Sequence, residues 1–163
     1  MKKNIITLAI LLLLGVAAFP SLGQAKVGAG LGFGSEVESL GIGINGEFPT
    51  ANSRIIISPS FILFFPDVIN FWELNGNMNY VFSRSSATVY GILGLNIARA
   101  GFDDISTPFG TVEGQSDTDL GLNIGVGVNF DIGSNVTPFA EMKYAISDFD
   151  QLVIFGGVRF PIR

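Results

Sequence analysis

The sequence predicts an all-β protein, a transmembrane up-and-down antiparallel β-barrel of eight strands. Three observations predict it. From Lys26 onward apolar residues recur with a period of two, and no segment shows the 3.6-residue spacing of an amphipathic helix. The chain is 48% hydrophobic but only 14% charged, whereas a soluble domain of this size carries more charge on its surface. The clearest stretch, Thr118 to Phe130, sets large apolar residues at every even position from Leu120 against Gly, Asn or Asp at every odd one. Strand side chains alternate between faces, so this strand has one face suited to lipid and one suited to a crowded polar interior.

The chain opens Met-Lys-Lys, continues with an apolar run from Ile5 to Ala18, and then has small residues at Gly23 and Ala25. A basic start, a short hydrophobic middle and small residues at the minus-three and minus-one positions make residues 1–25 a secretory signal peptide, removed on export. The run is shorter than the about 20 residues a bilayer-spanning helix needs. Residues 26–163 then form one barrel domain, with 7 basic against 14 acidic side chains once Lys2 and Lys3 are gone.

The strands follow in order. Val27 to Gly34 places Val27, Ala29, Leu31 and Phe33 opposite four glycines. After a turn at Ser35 to Glu38, Leu40, Ile42, Ile44 and Phe48 oppose Gly41, Gly43, Asn45 and Glu47. Arg54 to Phe65 is the third strand, where Pro59 removes a ladder donor and predicts a bulge or local break. Phe71 to Phe82 sets Trp72, Leu74, Met78, Tyr80 and Phe82 against Glu73, Asn75, Asn77 and Asn79, and Ala87 to Arg99 is the fifth strand. The long loop Ala100 to Asp117 leads to Thr118–Phe130; Val136 to Ile146 and Gln151 to Ile162 complete the set.

A sheet with a lipid-facing side cannot leave an edge unpaired in hydrocarbon, so it must close. Both termini of such barrels lie in the periplasm, which places the long loop and nine of the 14 acids outside. Phe48, Phe82, Phe130 and Phe160 make an aromatic girdle at the periplasmic end; Phe33, Phe65 and Trp72 suggest the other.

In these features, together with the stretch Pro138 to Tyr144 (PFAEMKY) and the ending GGVRFPIR, the mature chain resembles the small eight-stranded outer-membrane β-barrel proteins of Gram-negative bacteria, the porin-like or opacity-protein-like group. The family usually ends on an aromatic residue; here Phe160 is fourth from the end. The resemblance implies the bacterial outer membrane as location, with its lipid and lipopolysaccharide as surroundings. Any surface partner is expected to be met through the loop Ala100 to Asp117, and the chain is expected to be monomeric with no nucleic-acid partner.

The inward face collects Glu47, Glu73, Asp119, Glu141, Lys143 and Arg159. These could form an ion path or a salt-bridged plug. An eight-stranded barrel is just wide enough for its own side chains to fill, and buried charges are costly unless paired, so the plug is expected. Glu141 and Lys143 share a face, and Arg159 on the next strand completes the cluster. Phe139, Phe155, Tyr90 and Ile92 also point inward by parity and fill room left by the glycines of the first two strands. The outer acids Asp103, Asp104, Asp117 and Asp119 offer oxygen ligands to a divalent cation, but no spacing matches a calcium loop, so solvated loop charge is expected and no metal site or cofactor is assigned. The alternation Gly28-x-Gly30-x-Gly32-x-Gly34 opens no helix and is not a nucleotide loop. With no His and no Cys, the chain lacks the usual general base near neutral pH, and no enzyme is expected. The leading reading is therefore a non-enzymatic structural or surface-interaction barrel with a filled lumen. The alternatives are a narrow porin-like channel for ions or small solutes and, less in keeping with the charge-poor polar face, a soluble lipocalin-like barrel.

Overall fold

The computed structural model describes residues 23–162, apart from 68, 103, 104, 108, 109 and 113. Most of the expected signal peptide, 1–22, lies outside the described residues. Eight strands close into one barrel: β1 (Lys26–Gly34), β2 (Ser39–Pro49), β3 (Ile55–Phe64), β4 (Asn70–Arg84), β5 (Ala87–Gly101), β8 (Ser116–Phe130), β9 (Thr137–Ile146) and β10 (Gln151–Pro161). Every neighbour in the ring is antiparallel, and β1 pairs with β10 from Lys26↔Pro161 to Gly34↔Val153. Both described chain ends thus lie at one end of the barrel, and the connection between β5 and β8 lies at the other. That connection is more ordered than a plain loop. It carries a short hairpin, β6 (Ile105–Thr107) and β7 (Gly110–Val112), standing apart from the barrel sheet.

The alternation seen in the sequence sorts the faces. Leu31, Leu40, Ile44 and Leu120 point outward and are 62–67% exposed, while Ile62, Tyr90, Val153 and Phe155 point inward and are at most 1% exposed. An apolar belt around the whole wall would be untenable in water; as a closed sheet it meets the requirement that every backbone group in hydrocarbon be satisfied. This arrangement is the reverse of a lipocalin, whose apolar face points in, and it overturns that alternative. No helix among the described residues is long and apolar enough to cross a membrane, and a closed barrel needs none, since it can cross with its strands.

Two irregularities interrupt the ladders. At Pro59, which has no N–H to give, the β2/β3 pairing passes from Asn45↔Ser60 to Phe48↔Ile57 without a change of register. The expected break is there, in one ladder, but the expected bulge is not, and Pro59 stays level with Gly76 across β4. The bulge falls instead at Phe82, where the β4/β5 register shifts between Val81 and Ser83. Where β1 meets β10, a Cβ on Gly30 would overlap the carbonyl oxygen of Gly156, and one on Gly157 would overlap that of Ala29. Glycine at 30 and 157 is what allows the two ends of the sheet to pair closely.

Candidate functional site

The lumen is solid. Each inward side chain is placed there by strand parity, and together they stack into layers. Toward the loop end Phe64, Phe71 and Val153 form an apolar cap with Ala98, and Phe149 from the β9–β10 turn packs edge-on against Phe71 at 6.3 Å between ring centroids. Toward the chain ends Ile56, Val81, Tyr90 and Ile92 form a second apolar cluster. Two polar centres lie within the same lumen.

The first is built on Arg159, which is fully buried. Its Nη1 donates to Glu47 Oε1 at 3.0 Å, to the Tyr90 hydroxyl at 3.2 Å and to Asn129 Oδ1; its Nη2 donates to Glu141 Oε1 at 2.6 Å. With its amide turned to present oxygen, Asn45 accepts from Nε at 3.0 Å and Nη2 at 2.6 Å. Tyr90 donates onward to Glu141 Oε1 at 2.9 Å, and Asn129 Nδ2 to Glu47 Oε1 at 2.8 Å. The guanidinium carbon lies 3.8 Å from the centre of the Phe139 ring. A planar five-donor fork is the side chain that can meet acceptors from β2, β5, β8 and β9 at once.

The second centre is built on Lys143, whose Nζ donates to Glu73 Oε2 at 2.9 Å and to Asn75 Oδ1 at 2.7 Å. Gln151 donates to the other oxygen of Glu73. Asn96 and Asn123 each donate to Asn75 Oδ1 at 2.8 Å, and Asn123 also to Asn77 Oδ1 at 2.8 Å.

Of the six lumen residues picked out in the sequence, five enter these centres, in pairings the sequence did not specify. Lys143 reaches across the lumen to Glu73 and is not bonded to Glu141, its neighbour on the same face. Arg159 takes both Glu141 and Glu47. Asp119 stands apart. It lies at the loop-end rim, one residue beyond Leu120 where the outward apolar face of β8 begins, and accepts the backbone N–H groups of Leu120 at 2.8 Å and Asp148 at 2.5 Å. Partial desolvation pushes its carboxyl up, but these donors, with Ser147 and the Phe149 N–H, outweigh that and hold it below its ordinary value. The residue fastens the 147–150 turn. Of the other acids offered as cation ligands, Asp103 and Asp104 lie outside the described residues, and Asp117 accepts the N–H of Thr118 at 2.9 Å. The network members missed were Asn45, Tyr90 and Asn129 around Arg159, and Asn75, Asn77, Asn96, Asn123 and Gln151 around Lys143. Their inward parity was legible; their partners were not, because strand tilt brings together residues from distant strands.

No family model matches the sequence, and no curated protein matches it. Solved structures do. The chain is similar to the attachment invasion locus protein Ail of Yersinia pestis, with 18% identity over 85% of this chain and 95% of that one at a TM-score of 0.59. It is similar to Neisserial surface protein A, with 15% identity over 85% and 96% at 0.63. The N-terminal β-barrel domain of Pseudomonas aeruginosa OprF gives 13% identity over 85% and 98% at 0.59. The fold is that of the small eight-stranded outer-membrane β-barrels. Ail has also been solved with the heparin analogue sucrose octasulfate.

Proposed function

We propose that the chain is a non-enzymatic outer-membrane β-barrel protein of a Gram-negative bacterium. Its lumen is closed by its own side chains, its chain ends face the periplasm, and its longer loops meet the cell's surroundings. One observation carries the closed lumen: Arg159 and Glu73 are fully buried, Lys143 is 2% exposed, and inside the bore Arg159 is bonded to two carboxylates and Lys143 to one. An ion entering would have to break buried charge pairs, each of which costs several kcal/mol to leave unpaired. Planar-bilayer recording of the refolded protein is expected to give no steady unitary currents; steady currents would overturn the plug and establish the narrow channel. Fractionation tests location: recovery from the soluble periplasmic or culture fraction without detergent would overturn it.

The channel reading has one observation in its favour. Six buried amide atoms, on Asn75, Asn79, Asn96, Asn123 and Gln151, have no hydrogen-bond partner in the protein. Buried amides of this kind are common seats for ordered water, and a hydrated seam beside Lys143 would be the weak point of the plug.

The rim gives the loops their chemistry. Glu36, Glu38, Asp67, Asp117, Asp148 and Asp150 surround the loop end, and the base there, Arg99, is bonded to Ser116 Oγ at 2.7 Å. Such a rim repels a polyanion of the kind solved with Ail. The contacts expected of it are cationic groups, or lipopolysaccharide phosphates bridged by divalent cations.

A further inference from the structure

We infer that the barrel wall carries a seat for one phospholipid acyl chain, on its lipid face across β10, β1, β2 and β3. A groove of about 440 Å³ runs there, walled by outward Val27, Ile44, Phe61 and Phe160 and floored by Ala29 and Gly46. That volume is in the range of sites that hold small molecules. The groove has a definite origin in the sequence. Pro59 has no N–H, and the β2/β3 ladder skips the Gly46–Pro59 and Glu47–Ser58 pairs. At the same height the wall is lined by residues with little or no side chain, so the gap is not refilled. The Phe48 ring folds back over Gly46, where a Cβ would meet it, and lines the groove.

The occupant follows from continuity with the apolar belt. The walls are residues of the belt itself, Ile44 62% and Phe160 48% exposed among them, and no charged side chain lines the groove. A membrane-spanning wall offers such a groove only hydrocarbon. A chain laid in it makes dispersion contacts on three sides, where a chain elsewhere on the wall makes them on one. The groove occupies the chain-end half of β1 and β2. On the proposed orientation, on which this assignment rests, that half lies in the periplasmic, phospholipid leaflet and away from the lipopolysaccharide leaflet.

The test uses the refolded full barrel in nanodiscs containing phospholipid and lipopolysaccharide together, extracted into mild detergent and weighed by native mass spectrometry. One phospholipid is expected to stay with the wild type. Ala29→Phe, which fills the groove from its outward floor, is expected to lower that retention at least fivefold. Ala29→Ile serves if Ala29→Phe fails to show heat-modifiable migration, and Leu122→Phe, an outward change on the far wall, is expected to retain the lipid as the wild type does. Equal retention by wild type and filled variant, no retention by the wild type, or retention of lipopolysaccharide in place of phospholipid would each overturn the seat. Because the lipids are supplied, this result stands apart from cell fractionation, which alone decides the membrane in which the protein resides.

Discussion

Arg159 and Lys143 are both buried cations in one narrow lumen, yet their surroundings differ. Arg159 faces two carboxylates, a phenol and two amides, and also lies over the Phe139 ring. Lys143 has one carboxylate and one amide oxygen, and the amides around it are left with unpaired atoms. The first centre is saturated and specifies geometry. The second is a looser polar filling. A rigid fork can order four strands, while a point charge on a flexible stem orders only what happens to lie near its end.

Breaking the two centres separately sharpens the contrast. Arg159→Met leaves Glu47 and Glu141 buried without a cation and is expected to lower unfolding stability by about 3–5 kcal/mol, read from urea titration of the barrel in lipid vesicles. Lys143→Met strands only Glu73, which keeps its bond from Gln151, and is expected to cost about 1.5–3 kcal/mol; a loss equal to that of Arg159→Met would erase the distinction. Phe139→Leu removes the ring beneath the guanidinium while keeping an apolar side chain, with an expected loss of about 1–2 kcal/mol. Asn79→Leu stands at the other extreme. Both atoms of the Asn79 amide lack a protein partner, and replacing such a group by an apolar one is expected to be neutral or stabilising; a large loss would show that the amide is held by water.

The smallest expected effect lies outside both centres. The Asp119 carboxyl is held below its ordinary value near 3.8 by the donors of the 147–150 turn. A depressed folded pKa contributes stability above the unfolded value and loses it as pH falls through the folded one. Protection of the Asp148 amide against hydrogen exchange is therefore expected to be constant from neutral pH to about pH 4 and to fall below that. In Asp119→Asn it should be low throughout and flat with pH.

Much of this was legible along the chain, because a period of two reports which way each side chain faces. Eight strands, an inward Glu73, Lys143 and Arg159, and outward Leu120 and Ile44 all follow from parity alone. Parity is silent on which inward residues meet. Lys143 and Glu141 share a face two residues apart, but each side chain is aimed across the bore, and the tilt of the strands brings β4 to Lys143 and β2 to Arg159. Asp119, inward by count and next to the long loop in sequence, was expected both among the outer acids and in the lumen cluster; the structure places it at the outer rim and outside the cluster. The bulge at Phe82 was missed because neither Gly nor Pro marks it. The hairpin β6–β7 was missed because its strands are three residues each, too short for any period to register.

The seam between β1 and β10 has a consequence for how the protein comes into being. Lys26 pairs with Pro161 and Gly34 with Val153, so the first barrel strand to be synthesised waits for the last. Until then both flanks of the sheet are open templates for foreign strands, and loops spanning the whole chain must close before the ring gains its stability. Closure of the ring is therefore a contact between the two barrel strands farthest apart in sequence, and loss of either one reopens two edges at once.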